Sequence, residues 1–336
     1  MNPTTPRTPP ELQPRLLDAA RLCDALTAAL EASVAGVEKE HTRLNSPFTV
    51  EECRQFFAEE IRAVAGLESE RLVRALGRVA RERFLGAPPW FVAPGVSLGQ
   101  TRYRPTEDAR DLYHDLLVAI RPSQFLNNGV PSILARLIEA LDLSAGKRVL
   151  HVGCGVGYFT AVMAEMVGEA GHVTAVEIEP ELSARAIANL KPYRQVSVLN
   201  RDGAHFDPGP ADAILVNASV THPNPLWLER LPVGGVLLLP LVVARNPAAN
   251  DVMAMRIERQ TGGFAATPWS ILTLYPCAGL RDAATQSLLN RAFENHDLMK
   301  VRSLRTDAHA ASESCIVHAP ACCLSTLDAD IGSSGR

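Results

Sequence analysis

The stretch Val149-Leu-His-Val-Gly-Cys-Gly-Val-Gly-Tyr158 constrains the fold more than any other part of this chain. An apolar strand enters three glycines at alternate positions, Gly153, Gly155 and Gly157, and a helix follows. A second apolar run, Val173-Thr-Ala-Val-Glu-Ile-Glu179, sets Glu177 at the tip of the next strand. Glycines let the backbone turn sharply and lie against a ligand where a Cβ would clash. An acid at that tip can accept hydrogen bonds from both hydroxyls of a ribose. Strand, glycine loop, helix, strand and acid make a unit that holds a nucleoside.

The glycine spacing narrows the nucleoside. A dinucleotide fingerprint reads G-x-G-x-x-G and seats a pyrophosphate on the helix N-terminus. Here the spacing is G-x-G-x-G, and Tyr158 stands where the third dinucleotide glycine would fall. No P-loop Lys-Ser/Thr follows. The loop is built for a ligand without phosphates, of which S-adenosylmethionine is the common one.

Further strands follow in order. Val196-Ser-Val-Leu-Asn-Arg-Asp-Gly203 ends in Asp202-Gly203, where the carboxylate can meet an adenine amino group or merely cap a turn. Ala211-Asp-Ala-Ile-Leu-Val-Asn-Ala218 closes on Asn217, at the end of a strand where acceptors sit. Leu231 to Leu241 is a turn feeding a buried fifth strand. Helical stretches fall at about Tyr158 to Val167, Glu181 to Leu190 and Asn224 to Arg230. The alternation predicts a doubly wound, mostly parallel α/β sheet covered on both faces. Asp251 to Glu258, the turn Thr261-Gly-Gly263 and Phe264 to Leu272 read as a terminal antiparallel hairpin, which makes seven strands.

At this point the chain resembles the class I S-adenosylmethionine-dependent methyltransferases over about Arg148 to Leu241. Over roughly residues 50 to 275 it is similar to the protein-L-isoaspartate O-methyltransferase family. Gly157-Tyr158 with Thr160-Ala161 resembles that family's G-x-G-Y-x-T-A. Asp212 to Ala218, continued through Pro225, resembles its fourth-strand motif. Leu76-Gly-Arg-Val-Ala-Arg-Glu-Arg-Phe84 resembles a helix ending in P-R-E-x-F, with Ala80 in place of the proline. The resemblance implies a Rossmann-like fold, S-adenosyl-L-methionine as cofactor and a protein or peptide carboxylate as acceptor. It also implies protein repair, because a methyl ester favours succinimide formation. On the matching positions it points the cofactor to Gly153, Cys154, Gly155 and Gly157, then to Glu177, Ile178, Asp202, Gly203 and Asn217, with His151 in the first strand as a further candidate.

Two departures stand out. The family's substrate loop carries a serine in a motif of the form I-S-x-P. This chain has Leu126-Asn-Asn-Gly-Val-Pro-Ser132, so Gly129 takes the serine's place, and Asn127, Asn128 or Ser132 is left to meet the acceptor. His151 stands in the first strand where an Asp or Glu is usual. The acceptor-side candidates are therefore Asn128, Gly129, Ser132, Asn217 and His222. His222 could orient a carboxylate or act as a base; equally, it could be a solvated loop histidine. A carboxylate acceptor is already ionised at neutral pH, with a free pKa of about 4, so no general base is needed. The departures keep two alternatives open: another acceptor, such as a peptide natural product or a small metabolite, or a cofactor-binding protein without turnover.

Composition bounds the rest. The chain has 336 residues, 47% of them hydrophobic, and a formal net charge of −4, which carries no nucleic-acid footprint. Its longest apolar run, Val236 to Ala244, falls far short of the roughly 18 residues that span a bilayer. Residues 1–10 are proline-rich and lack the apolar core of a secretory signal, so a cytoplasmic protein is expected. The sequence leaves the oligomeric state open. The seven cysteines include no C-x-x-C pair; Cys315, His318, Cys322 and Cys323 cluster in sequence but match no common zinc spacing, and no metal is expected. The expected organisation is a proline-rich start and extra helix (1–45), an N-terminal helical cap (46–125), the methyltransferase domain (126–275) and a C-terminal extension (276–336). Within these, Leu12 to Val37 has helical periodicity and Thr49-Val-Glu-Glu52 forms a capping box. Phe56, Phe57, Ile61 and Val64 make an apolar stripe, and Glu68 to Arg83 a third helix. In the extension, Ala283 to Asn295 reads as a helix and Ser314 to Val317 as a short strand.

Overall fold

The computed structural model describes residues 47–95, 102–243, 251–274, 276–277 and 279–329. The helix expected over Leu12 to Val37 and the chain's last residues, 330–336, lie outside the described residues. Helix α1 (Val50–Ala65) begins directly after Thr49, where the capping box predicts it. Its buried face is Phe57, Ala58, Ile61 and Ala65, an i, i+1, i+4, i+8 stripe. Phe56 and Val64, expected on that stripe, are 58% and 61% exposed.

Helix α2 (Glu70–Arg78) is shorter than expected at both ends. The Ser69 side chain accepts the amide of Leu72, and one Glu139 oxygen accepts those of Glu68 and Ser69 at 2.8 Å each. These bonds fix the chain in non-helical form before Glu70. After Val79 a 3-10 turn spans Arg81–Phe84. Four short strands follow, β1 (Trp90–Pro94), β2 (Arg104–Thr106), β3 (Leu116–Arg121) and β4 (Leu126–Asn127), in the antiparallel order β2-β1-β3-β4. The segment before residue 125 is thus not helical throughout, and the β3–β4 hairpin crosses position 125.

Helix α3 (Pro131–Glu139) leads into the main sheet. There β5 (Arg148–Val152), β6 (His172–Glu177), β7 (Val196–Asn200), β8 (Ala213–Val216) and β9 (Val236–Val242) lie parallel in the order β7-β6-β5-β8-β9. Helices α4 (Tyr158–Val167), α5 (Pro180–Leu190) and α6 (Pro225–Arg230) supply the crossovers. Side-chain alternation splits the core by sheet face: Val149 packs with α4, whereas Leu150 and Val152 pack with Trp227 of α6. The order reverses beside β5, and in such sheets the ligand crevice lies at the strands' carboxyl ends.

Beyond β9 the sheet turns antiparallel. β10 (Asp251–Gln260) and β11 (Gly263–Thr273) form the expected hairpin. The chain then adds helix α7 (Ala283–Glu294) and three strands, β12 (Ser303–Arg305), β13 (Cys315–Ala319) and β14 (Cys322–Ser325). They extend the sheet from the expected seven strands to ten, in the edge order β11-β12-β14-β13. β12 joins β11 at Phe264 and Ala265, the Arg302 carbonyl just before it accepts the Ala266 amide at 2.8 Å, and Pro268 lies farther along β11. Among the described residues no helix is long and apolar enough to cross a membrane.

Candidate active site

The glycine loop is held by contacts that a side chain would break. Gly153, Gly155 and Gly157 all have positive φ, a region where a Cβ is strained. At Gly153 a Cβ would also come within 3.2 Å of the Asn217 carbonyl oxygen, fixed backbone of the neighbouring strand. At Gly155 it would meet only Ile120, at 3.9 Å, so that part of the loop opens towards β3.

Glu177 faces the same bend. Its two carboxylate oxygens accept the backbone N–H groups of Gly155 at 2.8 Å and Glu179 at 3.1 Å. The side chain is buried, and burial pushes its pKa above the usual carboxylate range, against the lowering effect of those two amides. Two donors leave carboxylate lone pairs for further hydrogen bonds. Beside it Ile178 is 50% exposed, an apolar surface at the mouth of the crevice. Asn200 bonds the carbonyls of Glu177 and Ile178 at 2.8 and 3.0 Å and fixes this strand end.

Asn217 closes β8 against the loop. Its amide N–H bonds the Val152 carbonyl at 2.8 Å, and its side-chain Oδ1 is buried without a partner. A buried acceptor left without a donor is costly, and a ligand donor could satisfy this one. The residues therefore fit a phosphate-free nucleoside. An acid faces the loop, an unpaired acceptor adjoins it, and no loop residue is cationic. Asp202 is already engaged: one oxygen accepts the Ala204 amide and the other the His205 ring, both at 2.9 Å. The turn-capping arrangement weighed for it is present, with Gly203 packed so closely on Val152 that a Cβ would lie 2.5 Å from it. Cys154 is buried, and burial raises its thiol pKa.

His151 sits on the α4 side of β5. Its Nδ1 meets Thr160 Oγ1 at 2.9 Å, while Nε2 is buried without a partner. Burial depresses its pKa to about 3, so a neutral imidazole replaces the acid usual at this position.

The loop expected to meet the acceptor lies close by. Ile120 reaches towards Gly155, and Arg121 on β3 pairs with Glu179 at 3.3 Å and Glu181 at 2.8 Å. β3 in turn carries the loop, because the Asn128 amide bonds the Val118 carbonyl at 2.9 Å. Asn127 Oδ1 accepts the Gly129 amide at 2.9 Å, closing a local turn, and Asn128 Nδ2 is buried without a partner. Gly129 has φ 76°, and a Cβ there would fall 2.7 Å from Leu134. The glycine standing where the family's serine is expected is thus demanded by the backbone itself. Ser132 instead donates to Asp115 at 2.6 Å while its amide bonds the other Asp115 oxygen at 2.8 Å. This anion neutralises the N-terminus of α3.

His222 is tied elsewhere. Its Nδ1 meets Thr221 Oγ1 at 2.9 Å, and that hydroxyl also accepts the Asp282 amide at the start of α7. Partial burial lowers the His222 pKa, with Asp282 opposing the shift.

Three residues that set this geometry went unread in the sequence as site residues: Asp115, Arg121 and Arg81. Arg81 is fully buried and donates to the carbonyls of Leu112, His114 and Leu116, the run leading into β3. Its guanidinium also lies 5.6 Å from the Tyr158 ring centre, just after the glycine loop. Asn189 bonds the carbonyls of Val156 and Phe84, at 2.9 and 3.3 Å. The motif Arg81-Glu-Arg-Phe84 therefore joins the acceptor-side strands to the cofactor-side loop. It was visible as a motif, but its partners lie far along the chain.

Comparison with known proteins follows the same lines. The family model for protein-L-isoaspartate(D-aspartate) O-methyltransferase matches residues 55–267. A protein-L-isoaspartate O-methyltransferase of Methanothrix thermoacetophila is 36% identical over 215 residues, 60% of this chain and 89% of the relative. Protein-L-isoaspartate O-methyltransferase 1 of Archaeoglobus fulgidus is 36% identical over 234 residues, 68% of this chain and 94% of the relative. Among solved structures, a Plasmodium falciparum protein described as a protein-L-isoaspartate O-methyltransferase, in complex with S-adenosyl-L-homocysteine, has a TM-score of 0.50 at 17% identity, covering 67% of this chain and 97% of that one. Another protein-L-isoaspartate O-methyltransferase structure gives a TM-score of 0.52 at 22% identity, over 72% of this chain and 69% of that one.

Proposed function

This chain belongs to the protein-L-isoaspartate(D-aspartate) O-methyltransferase family, and on that premise we propose that it methylates an isoaspartyl carboxylate in proteins or peptides. It is an S-adenosylmethionine-dependent carboxyl O-methyltransferase. The observation that carries the reading is the apposition of two half-sites. Glu177 and the glycine loop lie on one side, and the β3–β4 hairpin with Asn128 lies on the other.

When bound, the cofactor supplies an electrophilic methyl group. The chain's own residues do the positioning. Glu177 would hold the ribose hydroxyls with the lone pairs that the Gly155 and Glu179 amides leave free. Asn217 Oδ1 would accept from the amino-acid part of the ligand, and Ile178 would cover the base. On the acceptor side the unpartnered Asn128 Nδ2 donates to one carboxylate oxygen, orienting the other for in-line attack. Because the acceptor is ionised before it binds, alignment and exclusion of water suffice. His151, neutral and enclosed, moves no proton. His222 stands as a loop histidine ordered by Thr221.

A second reading keeps the cofactor and changes the acceptor to a peptide natural product or a small metabolite. Gly129 favours it, since the family's serine would be strained there at φ 76° and would press on Leu134. Incubation with labelled methyl donor and an isoaspartyl peptide separates the two. Base-labile methanol released from that peptide, and not from its aspartyl isomer, is the expected result. Equal labelling of both peptides supports the second reading, and cofactor binding without any transfer refutes catalysis.

A further inference from the structure

We propose that His309, Cys315, His318 and Cys323 form a structural zinc site, which fastens the loop after β12 to the β13–β14 hairpin at the outer edge of the sheet. One ligand atom from each of these four side chains lies within 4.8 Å of all the others. Tetrahedral zinc with bonds of about 2.0–2.3 Å needs edges of roughly 3.3–3.8 Å, so a slight contraction closes the set around one ion. Four protein ligands fill the coordination sphere, which makes the site structural rather than catalytic.

The backbone shows how a sequence without zinc-like spacing builds such a set. In a regular strand Cys315 and Val317 would share a face. A register shift between Cys315 and Val317 breaks that alternation, and Val317 is buried in the core while Cys315 joins His318 in the cluster. His318 pairs directly across the ladder with Cys323. Cys322, next along β14, packs into the core with Val317 and Leu324 instead. The fourth member arrives from the loop, whose base is held by the Arg305–Asp307 ion pair at 2.6 Å.

Outer-shell bonds also point to a metal. His309 Nδ1 lies 2.9 Å from the Asp307 carbonyl, to which it can donate, leaving Nε2 as the free nitrogen 3.6 Å from Cys315 Sγ. Such a bond fixes the tautomer and ring orientation of a metal-binding histidine. The Ser312 amide donates to Cys315 Sγ at 3.4 Å, a contact that favours a thiolate. His318 Nδ1 is buried without a partner. The two imidazole rings stand at 70° with centres 4.8 Å apart, converging rather than stacking. On binding, each thiol gives its proton to solvent and its sulfur lone pair to the cation.

The test uses the untagged full-length protein, purified in the presence of zinc. Elemental analysis is expected to give one zinc per chain, retained on gel filtration. Replacement by cobalt(II) is expected to give the visible bands of a tetrahedral site, with thiolate charge transfer in the near ultraviolet. His309→Ala, a loop change outside the sheet, should weaken zinc binding by more than the ~10–100-fold that follows loss of an outer-shell partner. Cys322→Ala should keep a full equivalent. If that variant does not fold, the thiolate bands of the cobalt form decide the matter alone. No retained metal, a Cys315–Cys323 disulfide under reducing purification, or undiminished affinity in His309→Ala would overturn the proposal.

Discussion

The cofactor side and the acceptor side of the crevice are built on different principles. On the cofactor side, backbone does most of the holding. Gly153 lies against the Asn217 carbonyl, and Glu177 is fixed by the amides of Gly155 and Glu179. Backbone geometry depends on a few glycines at fixed spacing, so it survives changes in the surrounding side chains. On the acceptor side, side chains hold one another: Ser132 with Asp115, Asn127 with its own turn, Arg121 with Glu179 and Glu181. Such contacts can be exchanged singly.

The largest expected effect breaks the backbone half. Gly153→Val imposes a side chain on φ 76° and drives it towards fixed backbone. Strain of this kind and overpacking each cost roughly 1–3 kcal/mol. Calorimetry should show no cofactor binding, and denaturant melts a marked loss of stability; near-normal binding would refute the packing account. Glu177→Ala removes a charged hydrogen-bond partner worth about 1.5–3 kcal/mol and should weaken cofactor binding about tenfold or more. An unchanged dissociation constant would count against the ribose role.

His151 sharpens the comparison through pH. Its folded pKa of about 3 lies below the ordinary 6.5, so the unfolded chain takes up a proton first as pH falls. Stability from this group is complete above pH 6.5 and declines from there towards pH 3. The limiting slope is about 1.4 kcal/mol per pH unit. Against the parent protein, His151→Gln should lose less stability across that window in urea melts. Identical pH profiles would place the histidine in contact with solvent. The smallest effects fall on the acceptor side. Gly129→Ser should destabilise by more than the ~0.4–1 kcal/mol that a strain-free replacement of glycine gains, and should not raise methyl transfer to isoaspartyl peptide. A gain in transfer would mean that the loop can relax around the hydroxyl.

The same division explains what was legible. The parallel strands, the glycine loop, Glu177 and the β10–β11 hairpin could all be read from local periodicity and spacing. The early end of α2 at Arg78 could not, because its cause is tertiary: Arg81 is drawn inside to bind carbonyls some thirty residues ahead. Nor could the exposure of Phe56, since a run of apolar residues does not say which of two adjacent phenylalanines faces the core. Asp115 is an ordinary loop acid until α3 folds onto it. β12 and β14 are three and four residues long, too short to show a period. His309 joins Cys315 and Cys323 only after a loop and a break in strand alternation bring them together.

The partial pairing of β11 has a consequence for how molecules meet one another. An eleven-residue strand at the rim of a sheet invites a foreign strand to add to it. Here β12 and the residue before it cover only Phe264 to Ala266, so most of that length depends on other protection. Pro268, farther along, offers no N–H to an incoming chain. The outermost rim has moved to β13, five residues long and interrupted in register, a poor template for addition. Strands β12 to β14 thus set a short, interrupted edge where a long one would invite sheet growth.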